Sequence, residues 1–396
     1  MRSGDDNIAI VATARTAIGK FGGALRDSSA VELGAHAIAA ACRRSGLAPT
    51  DVDEVIVGHA RQASNGPNPG RLMAITAGMP ARAPVQTVQQ ACVSSMKAAI
   101  LGMQSIRLGD AEIVVAAGSE HMSGIPFFSP DTRWGKRMGD SHLVDGLSKD
   151  GFLDPLTGKH MGQLADSWSA EYAITREEQD AYALRSQQRA DAAKKEGFTD
   201  ALIEPIEVRR GGKTFTMAED EHPRPDTTAE SLSRLAPVFV SGGSVTAGNA
   251  SGITDGAAAI VLMAASAAER HEIVPLAYAR SYAVTALEPE KYGLAIVPAT
   301  RQALARAGIT LDDLDAIEIN EAFAIQVLAA CAELKLDPER VNPAGGAIAL
   351  GHPVGMSGVR VVQYVVETLN RSGGRWGLAT ICGNGGQGAA VVVERA

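Results

Sequence analysis

Cysteine is scarce in this chain of 396 residues. The four cysteines stand far apart, and no two form a Cys-x-x-Cys pair: Cys42, Cys92, Cys331 and Cys382. Disulfide frameworks and zinc sites need closely spaced cysteines, so we expect neither of them and no metal site. The same spacing is typical of a reducing compartment, which predicts a cytoplasmic protein.

Excess positive charge and long apolar runs are also missing. The chain has 37 basic residues against 45 acidic ones, for a net charge of −8. Nucleic-acid binding requires a basic face, so we expect no nucleic-acid partner. No uninterrupted apolar run approaches the ~18 residues that a membrane span needs, so we expect no membrane span. The N-terminal residues 1–7 are polar, which argues against a secretory signal.

Glycine, in contrast, is abundant. Its 42 residues are about a tenth of the chain, above the usual ~7%. They follow no collagen period and form no low-complexity tract, so local structure must require them. At ~150 residues per domain, the length predicts two to three units.

The order of the predicted elements is repeated along the chain. Strand-like runs alternate with helical spacing, which predicts an α/β fold. Three pairs of segments correspond: 45–58 with 307–320 at an offset of 262, 107–118 with 371–382 at an offset of 264, and 255–262 with 387–394. In the first pair, a glycine helix stop, an Asp-x-Asp turn and a strand coincide. The chain is therefore predicted to consist of two similar halves.

The repeat implies an insertion in the first half. Two predicted strands that are nearly adjacent in the second half are separated in the first by the segment near 120–243, which includes a polar helix near Thr175–Lys195. We predict an N-terminal half of residues 1–120 and 244–267, a loop domain of residues 121–243 and a C-terminal half of residues 268–396. A shared site is expected where the halves meet, beyond the strand ends.

Cys92 stands where a strand-like run, Val85–Val88, meets an apolar helix, Ser94–Leu108. A thiol at a helix N-terminus faces the positive end of the helix dipole. We expect this position to lower the pKa of the thiol and to make the thiolate available as a nucleophile. The alternative is a small buried hydrophobic residue.

His352 lies in a glycine-dense loop, residues 342–358, before the predicted helix Val359–Leu369. Glycines let the backbone approach a ligand closely. The imidazole is a candidate general base for a thiol, and a structural histidine is the alternative. The loop matches neither the P-loop nor the G-x-G-x-x-G pattern of phosphate sites.

Cys382 and Asn320 both stand at strand ends. Cys382 opens a glycine-rich block, residues 382–388, whose backbone N–H groups suit a proton donor and acceptor beside an oxyanion hole. The alternative is a tight turn with an incidental cysteine. Asn320 follows the strand Ala316–Ile319, where an amide orients a water or holds an oxyanion, or simply caps a helix.

Together these segments resemble the thiolase family over almost the whole chain. The blocks around Cys92, Asn320, His352 and Cys382 are similar to four family signatures and stand in the family order. The resemblance implies a five-layered αβαβα fold with two pseudo-symmetric halves and an inserted loop domain. It also implies an acyl-CoA C-acyltransferase of the acetyl-CoA acetyltransferase type, which condenses two acetyl-CoA to acetoacetyl-CoA and CoA and catalyses the reverse thiolysis.

The resemblance assigns roles to these residues. Cys92 would carry the acyl group as a thioester, and His352 would activate Cys92. Cys382 would take a proton from the methyl group of acetyl-CoA, or return one during cleavage. Asn320, through a water, and His352 would form one oxyanion hole, and backbone N–H groups of Cys92 and of the loop after Cys382 the other.

The resemblance also implies substrates and partners. Segments of the insertion are similar to the CoA-binding segments of acetyl-CoA acetyltransferases. The residues implied to line the pantetheine channel are His160, Met161, Phe239, Ala247 and Ser251. Arg224 is implied to contact the nucleotide end of CoA. Acyl-CoA and CoA would be the only ligands, with no further cofactor, and the chain would form a homo-oligomer, a tetramer or a dimer.

Three positions depart from the family pattern. Ser95 stands where the family has glycine after its Cys-x-Ser, and Asn384 replaces the first glycine of Cys-x-Gly-Gly-Gly. Asn384 still supplies a backbone N–H, but its side chain could crowd the pocket or force an unfavourable backbone if φ is positive. Tyr292 stands where short-chain thiolases often have a smaller residue, so the size of the acyl pocket is open.

Two alternatives follow from these departures. One is a degradative 3-ketoacyl-CoA thiolase of β-oxidation for longer chains. The other is a catalytically degenerate protein that retains the fold and binds CoA. A condensing enzyme of the ketoacyl-synthase type is disfavoured, because Cys382 stands where those enzymes would use histidine.

Overall fold

The computed structural model describes residues 7–396. The N-terminal residues 1–6, which belong to the stretch predicted not to be a secretory signal, lie outside the described residues. No helix within residues 7–396 is long and apolar enough to cross a membrane.

Strands and helices alternate through the described residues. The strands are β1 Ile8–Arg15, β2 Gly19–Lys20, β3 Glu54–Gly58, β4 Val85–Val88, β5 Ile113–His121, β6 Phe127–Phe128, β7 Val144–Asp145, β8 Leu153–Asp154, β9 Lys159–His160, β10 Ile206–Arg210, β11 Lys213–Met217, β12 Thr254–Ala264, β13 Ala277–Ala286, β14 Ala316–Ile319, β15 Trp376–Gly383 and β16 Gln387–Arg395. The helices are α1 Ala30–Ser45, α2 Pro69–Thr76, α3 Ser94–Leu108, α4 Met161–Glu171, α5 Arg176–Lys195, α6 Ala229–Ser233, α7 Ala265–Arg270, α8 Ile296–Ala307, α9 Ala324–Leu334, α10 Ala347–Leu350 and α11 Ser357–Ser372.

Local sequence signals set the helix ends. α1 begins with a capping box in which Ser29 and Glu32 exchange hydrogen bonds between side chain and backbone. It ends at Gly46, whose φ of 75° is the left-handed conformation that glycine adopts at little cost. α8 ends in the same way at Gly308, with a φ of 70°. The two glycine helix stops that mark the repeat are therefore confirmed.

The sheet is arranged symmetrically about its centre. Its strand order is β4-β3-β5-β12-β1-β13-β16-β15-β14, with β2 paired to β12 at one side. β1 and β13 join antiparallel at the centre, where Ile8 lies opposite Ala279. Outward from that join, β12, β5 and β3 correspond to β16, β15 and β14, which are the strands that the repeat relates. The counterpart of β4 is reduced to a bridge between Ile317 and Val341.

The helices divide the molecule into layers. α3 and α11 pack against each other and against strands of both halves. α1 and α2 pack on the N-terminal half of the sheet, and α8 packs on the C-terminal half. Every residue of β5 and β12 is buried, as expected for strands that helices cover on both faces. The two halves of the sheet therefore form two β layers. Together with the helices they give the order helix, half-sheet, helix, half-sheet and helix.

The segment between β5 and β12 carries three two-stranded hairpins and the helices α4, α5 and α6. The polar helix predicted near Thr175–Lys195 is confirmed as α5, whose capping box joins Thr175 and Glu178. α5 packs on α9 and α10 of the C-terminal half. The inserted segment is thus held against the C-terminal half of the chain.

A buried carboxylate fixes this docking. Glu321 is 1% exposed. It accepts hydrogen bonds from the Tyr182 hydroxyl at 2.9 Å, the Ser186 hydroxyl at 2.8 Å, the Asn342 amide at 2.8 Å and the Ile348 backbone N–H at 3.0 Å. One side chain therefore links α5, the end of β14 and the loop before α11.

We expect Glu321→Ala to lower the free energy of unfolding by about 3–5 kcal/mol, because four buried donors lose their acceptor. Urea unfolding followed by circular dichroism measures the loss. The matched control is Glu339→Ala. The Glu339 side chain is 64% exposed and pairs with Arg185 and Arg189, which both belong to α5. This change should cost less than about 1 kcal/mol, and equal losses in the two variants would contradict the assignment.

Candidate active site

A cavity of about 430 Å³, here called the active-site cavity, lies where the two halves and the inserted segment meet. The predicted site residues that line it are Cys92, His352, Cys382, Asn384, His160, Met161, Arg224, Phe239, Ala247 and Ser251. Asn320 is fully buried and lies against His352. The structure thus brings together every residue that the sequence singled out for the site.

Cys92 lies in a tight turn between β4 and α3. The preceding residue, Ala91, has a φ of 47°, a left-handed conformation that is strained for a residue with a side chain. Ser94 holds the turn, since its hydroxyl donates to the Ala91 carbonyl at 2.6 Å and accepts from the Gln90 backbone N–H at 2.9 Å. The half-buried thiol is thereby presented to the cavity.

The prediction that the pKa of Cys92 falls was wrong. Burial raises the pKa of the thiol, and this effect outweighs the lowering by Arg61 and by the backbone N–H groups of Asn384 and Cys92 itself. α3 begins at Ser94, two residues beyond the thiol. The end of the helix dipole therefore does not compensate the loss of water around a thiolate, and Cys92 needs a base.

His352 is placed to be that base. Its Nδ1 lies 2.6 Å from the Ser357 hydroxyl, which donates its one proton to the Pro353 carbonyl at 3.0 Å. Nδ1 is then the donor to Ser357, and the lone pair of Nε2 faces the site. Burial, followed by the guanidinium groups of Arg360 and Arg61, lowers the pKa of His352 to about 3. The imidazole is therefore neutral at pH 7 and accepts a proton at Nε2.

Asn320 is oriented by a residue that the sequence reasoning missed. Arg360 is 2% exposed and donates to the Asn320 Oδ1 at 3.1 Å and to Glu318 at 3.4 Å. Since the amide oxygen is occupied, the NH₂ group of Asn320 faces His352 Nε2 at 3.4 Å. Burial raises the pKa of Glu318 to about 8. The available signal was an arginine among the apolar residues that open α11.

Cys382 lies near the end of β15 and is 2% exposed. Burial, and then the neighbouring Cys92, raise the pKa of its thiol. Both thiols line the active-site cavity. At rest the site therefore contains two neutral thiols and one neutral imidazole.

The other two cysteines belong to the core. Cys42 and Cys331 are 2% and 1% exposed, and burial raises the pKa of each thiol to about 12. No group of three His, Cys, Asp or Glu side chains in residues 7–396 is arranged to hold a metal ion.

Asn384 fits its position without strain. It is not among the described residues with positive φ, whereas Gly385 and Gly386 have φ of 77° and 82° and make the turn between β15 and β16. Its backbone N–H points to the Cys92 sulfur, together with the N–H of Cys92 itself. The Asn384 side chain donates to the Gly151 carbonyl at 3.3 Å. These two N–H groups form an oxyanion-hole geometry beside the nucleophile.

Ser95 is also accommodated. A Cβ built on Gly118 would lie 2.5 Å from the Ser95 Cβ, so the missing side chain of Gly118 leaves the room that Ser95 occupies. The Ser95 hydroxyl accepts a hydrogen bond from the Val359 backbone N–H at 3.0 Å. The departure from the family pattern therefore adds a link between α3 and α11.

Aromatic rings line the channel that leads from Cys92 towards the surface. The His160 ring stacks on Phe152 and Phe239, with centroid distances of 5.7 and 4.7 Å. Phe239 meets the edge of Phe323 at 6.0 Å. Sequence reasoning missed Phe152 and Phe323. The available signal was the scarcity of phenylalanine in the sequence, because three of only eight phenylalanines lie in this channel.

Tyr292 closes the active-site cavity on one side. It is 2% exposed, its hydroxyl donates to the Met161 carbonyl at 3.2 Å and its ring packs on Trp168 at 5.1 Å. Burial, and then Cys382 and Cys92, raise the pKa of its hydroxyl. This large fixed side chain limits the room beside the two thiols.

At the outer end of the channel, Arg224 is exposed and its backbone N–H donates to Gln187 at 2.8 Å. Ser251 is half-buried, and its backbone N–H donates to the Ala322 carbonyl at 3.0 Å. His222, which sequence reasoning missed, lines the same end. The outer end of the channel thus carries the exposed guanidinium group of Arg224.

Comparisons with known proteins agree with this geometry. Models of the thiolase N-terminal and C-terminal domains match residues 8–266 and 273–395. An acetyl-CoA acetyltransferase of Chromobacterium violaceum is 47% identical over 389 residues, which cover 98% of this chain and 99% of the relative.

Solved structures are equally similar. The Bacillus anthracis acetyl-CoA acetyltransferase superposes with a TM-score of 0.97 at 41% identity, covering 100% of both chains. The human mitochondrial 3-ketoacyl-CoA thiolase in complex with CoA superposes with a TM-score of 0.94 at 39% identity, covering 98% of both chains. The chain therefore belongs to the thiolase family and has the thiolase fold.

Proposed function

We propose that the chain is an acetyl-CoA acetyltransferase, which condenses two acetyl-CoA to acetoacetyl-CoA and CoA and catalyses the reverse thiolysis. The observation that carries this proposal is one cavity lined by two thiols, Cys92 and Cys382, and by the neutral imidazole of His352. Full-length relatives that are named acetyl-CoA acetyltransferase support it. A similar human structure in complex with CoA supports CoA thioesters as the ligands.

The first half-reaction acylates Cys92. His352 Nε2 takes the thiol proton, and the Cys92 sulfur attacks the thioester carbonyl of acetyl-CoA. The carbonyl oxygen gains negative charge between the N–H groups of Cys92 and Asn384. The C–S bond to CoA breaks, and the departing CoA thiolate takes the proton of Cys382. A charged Cys92 thiolate raises the pKa of Cys382. Acylation removes that charge and so favours the Cys382 thiolate.

The second half-reaction forms the carbon–carbon bond. The Cys382 thiolate takes a proton from the methyl group of a second acetyl-CoA. The enolate oxygen is held by the protonated Nε2 of His352 and by a water on Asn320. The carbanion attacks the acyl carbonyl, the bond to Cys92 breaks, and the Cys92 thiolate recovers its proton from His352. These residues complete the proton balance, so we propose CoA thioesters as the only small molecules required.

We also propose the roles of the channel residues and the division of the chain. The stacked rings of His160 and Phe239, with Met161, Ala247 and Ser251, would hold pantetheine, and Arg224 would contact the nucleotide end. The loop domain would be residues 121–243, between the halves 1–120 with 244–267 and 268–396. The mirrored strand order supports two halves.

A homo-oligomer in the cytoplasm completes the proposal. Large apolar side chains are exposed on the inserted segment, with Phe127 at 62%, Trp134 at 93% and Met138 at 87%. Exposed apolar side chains of this size are typical of a surface that another chain covers. A dimer or tetramer of this chain would bury it.

Incubation with acetyl-CoA should add one acetyl group to the wild-type chain, read by intact mass. The adduct should be absent from Cys92→Ala and present in the control Cys42→Ala, whose thiol lies in the core. An adduct that survives in Cys92→Ala refutes the proposed nucleophile. The absence of any adduct in the wild type supports a catalytically degenerate protein.

Cys382→Ala should still acquire the acetyl group on Cys92, because the nucleophile, base and oxyanion hole remain. Formation of acetoacetyl-CoA should fall by about 10²-fold or more, since the proton acceptor for the carbon acid is lost. Intact mass gives the first result and the enolate absorbance of acetoacetyl-CoA the second. Normal turnover by this variant would show that another group is the base.

The degradative 3-ketoacyl-CoA thiolase remains the second candidate, favoured by the similarity to the human enzyme of that name. Tyr292 argues against it, because its buried ring limits the acyl pocket. We expect kcat/KM for acetoacetyl-CoA to exceed that for 3-oxodecanoyl-CoA by about 10-fold or more, since the longer chain must displace packed groups. A preference for the long substrate would favour the degradative function.

A further inference from the structure

Three cavities follow one another through the active site. The active-site cavity shares His222, Arg224 and Ala247 with an outer cavity on the nucleotide side. It shares Arg61 and Asn384 with a third cavity of about 430 Å³, here called the side cavity, which has no lining residue in common with the outer cavity. If pantetheine enters from the Arg224 end, the acyl group bound to Cys92 points towards the side cavity.

Arg61 stands at the junction of these two cavities and is 6% exposed. Its guanidinium group lies against Gly151, where an added Cβ would be 2.4 Å from Nη2. The buried Nε has no hydrogen-bond partner. Its main chain is fixed, since the Arg61 backbone N–H donates to Glu120 at 3.1 Å. The side chain therefore has a defined position and an unused donor.

Within residues 7–396, no carboxylate forms a salt bridge with the Arg61 guanidinium. Glu120 is fully buried, and its oxygens accept hydrogen bonds from the backbone N–H groups of Ala60, Arg61 and Gly355. Asp150 lines the side cavity but is exposed beside the exposed Lys149, so their charges offset each other. A buried charge without a partner is costly, and an anion bound in the cavity would relieve that cost.

The rest of the side cavity suits a polar chain end. It is lined by the polar residues Gln62, Gln89 and Asn384, whose amide NH₂ groups donate to the backbone carbonyls of His59, Ala60 and Gly151. A neutral alkyl chain that extended from Cys92 in this direction would leave the guanidinium unpaired. A carboxylate would accept its charge-assisted hydrogen bonds.

We propose that Arg61 selects acyl-CoA substrates whose acyl chain ends in a carboxylate, so that the enzyme also handles monothioesters of short dicarboxylic acids. This inference rests on the proposed function, because it takes the acyl group to be on Cys92. In the cleaving direction, the Cys92 thiolate attacks the keto carbon of a 3-oxo-dicarboxylyl-CoA. The C2–C3 bond breaks, Cys382 protonates the acetyl-CoA carbanion, and the carboxylated acyl group remains on Cys92 until CoA removes it.

The test is the rate of Cys92 acylation, read by intact mass, with succinyl-CoA, glutaryl-CoA and butyryl-CoA. Each rate is divided by the acetyl-CoA rate of the same variant, which removes any general effect on the nucleophile. In the wild type, at least one dicarboxylyl thioester should react roughly 10- to 100-fold faster than butyryl-CoA, as expected for charged hydrogen bonds. Arg61→Leu should abolish or reverse this preference, and Arg61→Lys should retain part of it.

The control Arg133→Leu, at an exposed arginine outside the cavities, should keep the wild-type preference. No preference in the wild type, or a preference unchanged in Arg61→Leu, would overturn the inference. Equal losses for all thioesters in Arg61→Leu would instead assign Arg61 to the Cys92 thiolate alone. If the wild type forms no acetyl adduct, the proposed function fails. If it forms one without this selectivity, only the present inference fails.

Discussion

The close approach of the first turns of α3 and α11 holds the active site together. A Cβ on Gly358 would lie 2.3 Å from the Met96 nitrogen, and one on Gly58 would lie 2.2 Å from the Ser95 nitrogen. Only glycine permits these contacts. Because the Cys92 turn leads into α3 and the His352 loop leads into α11, this helix contact sets the distance between the proposed nucleophile and the proposed base.

Burial then sets the chemistry of the groups that this contact brings together. It raises the pKa of both thiols and lowers that of His352. All three groups are therefore neutral at rest, and charge appears only when a proton moves between neighbours. The fixed donors follow the same logic, since Arg360 orients the Asn320 amide and two backbone N–H groups face the Cys92 sulfur. The site is therefore reactive because its groups are held in position, more than because a thiolate is present at rest.

Much of the fold was readable because its signals are local. Gly46 and Gly308 end their helices in the left-handed conformation that the sequence predicts. The repeat predicted two similar halves, and the mirrored strand order agrees with it because similar segments fold alike. Much of the glycine excess lies at the site itself, where Gly351, Gly385 and Gly386 adopt positive φ. The residues missed by the sequence reasoning, Arg360 and Phe323 among them, act through partners distant in the chain.

Patterns of neighbouring residues were enough to predict the two halves, the glycine-lined junction and the four segments proposed to carry the chemistry. The protonation states depend instead on how segments distant in the chain pack around each group. Dipole reasoning from the position of Cys92 predicted a lowered pKa, whereas the observed burial by distant segments raises it. The same holds for Arg61, whose place between two cavities depends on loops of the insertion packing around it. Solvent exclusion is a property of the assembled fold, and no local pattern contains it.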